Sequence, residues 1–232
     1  MICFAHYVEV EQILPKKFTK NTIIITTQKT GELGKSYFYC SYGEKYSTEQ
    51  IVREYYKNSG YQVIRAEYSF WKGIFVLAFF DELYTQTLNL KAKNKFFNIE
   101  RSDISTEELY KKLKEIKKSN IQQFINNQIA KHEQGSYIRW LDKWGIEGYK
   151  NSSEYFKSPI VQEFLTRIDN KTFCKILKHT IDKYNINPVG TTDYIVWDNK
   201  EMIFIEVKRK NETLKPEQIE WGCIFAKKSS FL

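Results

Sequence analysis

The chain has 232 residues, of which 42% are hydrophobic and 16% aromatic, so it belongs with globular proteins and not with disordered ones. Lys and Arg number 36 against 28 Asp and Glu, and the net charge of +8 suits a polyanionic partner. The four cysteines and three histidines are scattered, with no CxxC pair, which excludes a locally spaced zinc site and points to reduced thiols.

In chain order, the opening MICFAHYVEVEQ lacks a basic stretch followed by a long apolar one, so no secretory leader is expected. Residues 1–46 form a β-rich N-terminal extension. Strands are predicted at Cys3–Val10, Thr22–Thr27 and Ser36–Tyr42, with turns at Lys29–Gly34 and Gly43–Lys45. Ser47-Thr-Glu-Gln50 is a capping box that opens a helix, with Ile51, Val52 and Tyr55 on one side and Gly60 as its stop. Tyr61–Glu67 is a short strand. Phe70–Tyr84 is apolar almost all round and reads as one buried helix. Its apolar run, Ile74 to Phe80, is too short to cross a bilayer, and a soluble intracellular protein is expected.

Lys91–Arg101 is a polar connection. A second capping box, Ser105-Thr-Glu-Glu108, opens a helical stretch that runs to about Tyr184, with breaks near Gly135, Gly145–Gly148 and Ser158–Pro159. Asn185–Thr192 is a loop. A strand at Asp193–Trp197, a turn at Asp198–Glu201 and a strand at Met202–Lys208 follow, then a helix that opens at Pro216. The whole reads as a single α/β domain, with a helical insertion at about 103–185 in a core at 47–232.

The chemistry concentrates in Asp193 and Glu206-Val207-Lys208. A hairpin centred on Asn199 and Lys200 places Asp193 opposite Glu206, with Cβ atoms only about 5 Å apart. The two-residue period of a strand puts Met202, Phe204, Glu206 and Lys208 on one face and Ile203, Ile205 and Val207 on the other. Two adjacent carboxylates need a shared proton or a cation between them, and one ammonium neutralises only part of their charge. A hard divalent ion, Mg²⁺ or Mn²⁺, suits oxygen ligands of this kind and supports phosphodiester hydrolysis. Taken alone, Asp…Glu-x-Lys also suits an ordinary polar strand end.

Longer motifs surround this set. Gly190-Thr-Thr-Asp193-Tyr-Ile-Val-Trp197, Phe204-Ile-Glu206-Val-Lys208 and Asn211-Glu-Thr-Leu214-Lys-Pro-Glu-Gln218-Ile-Glu-Trp221 together resemble the VRR-NUC domain, a branch of the PD-(D/E)xK nucleases. The closest likeness is to the Fanconi-associated nucleases. Gly60 to Glu67, followed by the apolar helix through Leu83, resembles a further motif in which the Glu binds metal. His132-Glu-Gln-Gly135 leading to Trp140 is a weaker match with no assigned role. The likeness covers about residues 48–227.

The resemblance implies a PD-(D/E)xK core, with a central mixed sheet flanked by helices. It implies metal ligation by Glu67, Asp193, Glu206 and the Val207 carbonyl, and Lys208 assisting the attacking water. The activity implied is metal-dependent DNA cleavage at a 5′ flap or a branch, in repair, replication or recombination. Thr192 and Tyr194 stand where the family has Pro and Leu, Tyr68 where it has Gly, and Arg209 where Gly-Pro is usual. None of these removes a catalytic group. The family's further strand after the last helix is expected from more chain or from a partner.

Gln218 is a candidate to orient Lys208, water or a phosphate, or else an exposed helix residue. Arg209, Lys210 and Lys215 are candidate phosphate contacts. Glu54 is an alternative acid but suits a solvated helix face, as do Lys111, Lys112, Lys114, Lys117 and Lys118. Trp221 suits the core. A homodimer would give such a domain a grip on both arms of a branch. The alternatives are a non-catalytic DNA-binding module of the same fold, and a nuclease acting on RNA or foreign DNA.

Overall fold

Ser47 starts the first helix as its side chain dictates. In the computed structural model its hydroxyl accepts the Gln50 N–H at 3.2 Å, and Gln50 Oε1 accepts the Ser47 N–H at 2.8 Å. The structure describes residues 5–11, 20–26, 28–32, 35–39, 45–84, 105–133, 152–183, 191–208 and 214–225. Helix α1, Thr48–Asn58, buries Ile51, Val52 and Tyr56. Gly60 ends it with φ 86°, in the left-handed region that glycine tolerates. The Gly60 N–H bonds the Lys57 carbonyl and the Tyr61 N–H the Tyr56 carbonyl, and the Tyr56 and Tyr61 rings meet edge to face.

The described strands form three small sheets, and every described pair is antiparallel. This differs from the single mixed sheet expected of the core. Strand β1 (Ala5–Glu11) pairs with β2 (Lys20–Thr26). Strand β3 (Gln28–Glu32) pairs with β4 (Lys35–Tyr39), which also pairs with β5 (Lys45–Tyr46). The expected turn at Lys29–Gly34 is thus mostly strand. Glu32 pairs with Lys35, which leaves only Leu33 and Gly34 to connect the two strands.

The third sheet carries the chemistry. Strand β6 (Gln62–Arg65) pairs with β7 (Tyr194–Trp197), and β7 with β8 (Met202–Ile205). Tyr194 faces Ile205 and Trp197 faces Met202, the register that a hairpin centred on Asn199 and Lys200 requires. Tyr194, Val196, Ile203, Ile205 and Val207 share one face and pack with Val52 and Tyr56 of α1. The strand expected over Met202–Lys208 is interrupted at Glu206. Val207 and Lys208 form a two-residue strand, β9, that pairs with Val10 and Glu9 of β1.

The chain divides into two compact units. One comprises Met1–Glu67 with Val189–Leu232, the other Tyr68–Pro188. The helical unit therefore begins well before residue 103. Its first helices are α2 (Tyr68–Ala78) and α3 (Phe80–Tyr84), in place of one continuous helix. Helical bonding persists across the junction, because the Phe79 N–H bonds the Phe75 carbonyl and the Leu83 N–H the Phe79 carbonyl. Helix α2 packs on α5 (Ile121–Glu133), which ties the apolar segment to the helical part.

Ser105 caps α4 (Thr106–Ile116) by accepting the Glu108 N–H. Then come α6 (Ser152–Phe156), α7 (Pro159–Arg167, with Pro in the first turn) and α8 (Asn170–Lys183). The last described element, in the first unit, is α9, Pro216–Phe225. The predicted connection at Lys91–Arg101, the breaks near Gly135 and Gly145–Gly148, most of the Asn185–Thr192 loop and, beyond Glu133, the match ending at Trp140 lie outside the described residues.

Candidate active site

Asp193 stands one residue before β7, where the β7–β8 ladder ends. Its Oδ2 accepts the Val207 N–H at 2.7 Å, so a side chain occupies the position of the next ladder bond. Val207 and Lys208 pair instead with β1, and the strand break falls on Glu206. Glu206 and Lys208 are both buried, and Lys208 Nζ lies 2.6 Å from Glu206 Oε1. Gln218, in the first turn of α9, donates from Nε2 to the same Oε1. Its own Oε1 accepts the Lys215 N–H at 2.9 Å, which fixes the orientation of the amide and caps the helix. The other carboxylate oxygen, Glu206 Oε2, is buried and has no hydrogen-bond partner.

The electrostatics follow from this crowding. Burial, then the negative charge of Glu206, pushes the Asp193 carboxyl up from 3.8 to about 7, against the opposing Val207 N–H and Lys208. Burial likewise raises Glu206, although Lys208 and Gln218 hold its charged form by hydrogen bonds. Glu67 contributes further repulsion to both. The pair has more negative charge than its protein partners offset.

Glu67 is placed differently from its expected partners. Arg65 faces Tyr194, and one residue further on, the Ala66 N–H donates to the Asp193 carbonyl at 2.8 Å. The residue beside Asp193 on this side is therefore Ala66. Glu67 is turned to Arg65 instead, with Nη2 to Oε1 at 2.7 Å. Among the described residues, no group of three or more His, Cys, Asp or Glu is gathered as a metal would require.

Two residues at this site were given no role from the sequence. Arg65 was visible as the i−2 neighbour of Glu67 on an alternating strand. Thr192, beside Asp193, has a buried hydroxyl without a hydrogen-bond partner, and the sequence marked it only as a departure from the motif it resembles.

The other candidates resolve individually. Trp221 is buried, as expected of a core residue. Glu54 pairs with Arg53 at 2.9 Å and Lys57 at 3.6 Å on the α1 surface. Lys112 pairs with Glu115 and reaches toward Glu82, while Lys111, Lys114, Lys117 and Lys118 are exposed. Lys215 is exposed beside the α9 cap. Arg209 and Lys210 lie outside the described residues. No helix among the described residues is long and apolar enough to cross a membrane. Comparison with known proteins returns no matching family model and no matching curated protein.

Proposed function

We propose that this chain is a metal-dependent nuclease that hydrolyses DNA phosphodiesters, with a PD-(D/E)xK arrangement of Asp193, Glu206 and Lys208. The observation that carries the reading is a buried carboxylate, Glu206, crowded by the half-buried Asp193, with one ammonium bonded to Glu206 and a spare oxygen. Glu206 Oε2 has no donor, and Asp193 is held near neutrality at about 7. A buried carboxylate oxygen without a donor is costly, and a cation relieves it. The donor set therefore fits an oxygen-preferring divalent ion, Mg²⁺ or Mn²⁺.

Asp193, Glu206 and the Val207 carbonyl would hold that ion, with Glu67 joining them once parted from Arg65. When bound, the ion supplies Lewis acidity toward a phosphoryl oxygen and lowers the pKa of water. The chain's own residues do the rest. Lys208, anchored on Glu206, presents N–H donors to the attacking water and to developing negative charge. Gln218 holds the Glu206 carboxylate in orientation and ties it to the start of α9. Asp193 keeps the end of the hairpin closed through Val207.

The net charge of +8 supports a nucleic-acid substrate. The motif resemblance extends the proposal to branched or 5′-flap DNA, to repair, replication or recombination, to an intracellular site and to a homodimer. A second reading, a DNA-binding module without catalysis, is favoured by one observation: Glu67 pairs with Arg65 and no three-carboxylate group is gathered among the described residues. Labelled single-stranded, duplex, 5′-flap and four-way-junction DNAs with Mn²⁺, Mg²⁺ or EDTA decide between the two. Cutting that needs metal and is lost in Asp193→Ala is the expected result, and an RNA arm tests the substrate class. Binding without cutting in either metal would hand the site to the second reading.

A further inference from the structure

Arg65 and Glu67 stand where β6 gives way to α2, joined at 2.7 Å. Their side chains are 58% and 39% exposed, whereas the Lys208 and Glu206 side chains are 10% and 9% exposed. An exposed pair of this kind is weak and readily exchanged for another partner. Arg53 also bears on Tyr194, but its guanidinium is bonded to Glu54 at 2.9 Å and is less exposed.

The charges around the site make the exchange directional. Glu67, Asp193 and Glu206 carry −3 when all three are ionised, and Lys208 and Arg65 carry +2, so the metal-free group totals −1, or 0 with Asp193 protonated, and does not attract a phosphate. A divalent cation brings the total to +1, and the same group then attracts one.

We propose that Arg65 is a phosphate-holding residue, kept on Glu67 in the metal-free protein and transferred to a DNA backbone phosphate when a divalent cation draws on Glu67. The inference rests on the nuclease reading and adds a substrate-binding residue to it. Arginine suits the role because its planar fork meets two phosphate oxygens at once. A cation and DNA must then strengthen each other's binding, since each favours the same rearrangement.

The test measures binding of the full chain to a labelled single-stranded oligonucleotide by fluorescence anisotropy, in EDTA and in Ca²⁺. Wild type, Arg65→Gln and Arg65→Lys are compared, and calorimetry follows Ca²⁺ binding to each. Ca²⁺ is expected to tighten DNA binding by wild type about tenfold, the scale of one charge-assisted phosphate contact. Arg65→Gln should lose most of that gain while binding Ca²⁺ at least as tightly, and Arg65→Lys should recover part of it. An equal Ca²⁺-dependent gain in Arg65→Gln and wild type overturns the role of Arg65 and leaves the nuclease reading standing. A wild type that neither binds Ca²⁺ nor gains DNA affinity overturns both.

Discussion

Replacing Asp193 with Asn tests the electrostatics of the site independently of any activity. Asparagine has the same shape, and its Oδ1 can still accept the Val207 N–H that closes the hairpin. What it removes is a carboxyl held at about 7 in the fold against 3.8 for an ordinary aspartate. Because the folded value is raised, the group stabilises the protein fully below about pH 4, and that contribution is lost progressively as pH rises to about 7. At 1.36 kcal/mol per pH unit the loss amounts to roughly 4 kcal/mol, and raised Glu206 acts in the same direction.

Metal-free wild type should therefore be less stable at about pH 8 than at about pH 5, and Asp193→Asn should flatten that dependence. Urea unfolding in EDTA at both pH values reads the effect directly. The Asn variant should gain about 1 M in midpoint at the higher pH and less than half of that at the lower. Added Mg²⁺ should stabilise wild type and leave the variant nearly unmoved, because the cation binds the charged carboxylates of the fold. An Asn variant that is no more stable than wild type at the higher pH, or that keeps its pH slope, would refute the crowding of Asp193 and Glu206.

Three further substitutions test other links. Gln218→Glu keeps an acceptor for the Lys215 N–H but sets a third carboxylate against Glu206, so cleavage should fall about 10–100-fold. The alkaline rise of its pH–rate profile should also move to higher pH, and an unmoved profile would separate Gln218 from the site. Ser47→Ala removes the hydroxyl that caps α1 and should cost about 1 kcal/mol in chemical denaturation, with no loss beyond scatter counting against the capping box. Gly73→Ala would set a Cβ 2.6 Å from Cζ of the buried Phe156 ring and should cost about 1–3 kcal/mol, read as a lower melting temperature.

Much of this protein is legible before folding is considered. The Ser47 and Ser105 caps, the Gly60 stop, the apolar helix from Phe70 and the Pro216 start all depend on residues within a turn or two of one another. The hairpin register follows from its turn and its alternation, and Asp193 and Glu206 lie just past its last pair, Tyr194 with Ile205, near enough for their charges to repel. Other features depend on groups far apart in the chain. The strand breaks at Glu206 because the Asp193 side chain takes the Val207 N–H and because β1, nearly 200 residues earlier, receives Val207 and Lys208. Gln218 reaches Glu206 only because α9 returns over the hairpin end. Glu67 meets Arg65 because register puts Ala66 beside Asp193 and β6 ends at Arg65, so residue 67 lies past the strand, in the bend before α2. Local patterns specify which elements form, but the direction of a side chain at a strand end depends on its neighbours across the sheet, and those are set only when the chain has folded.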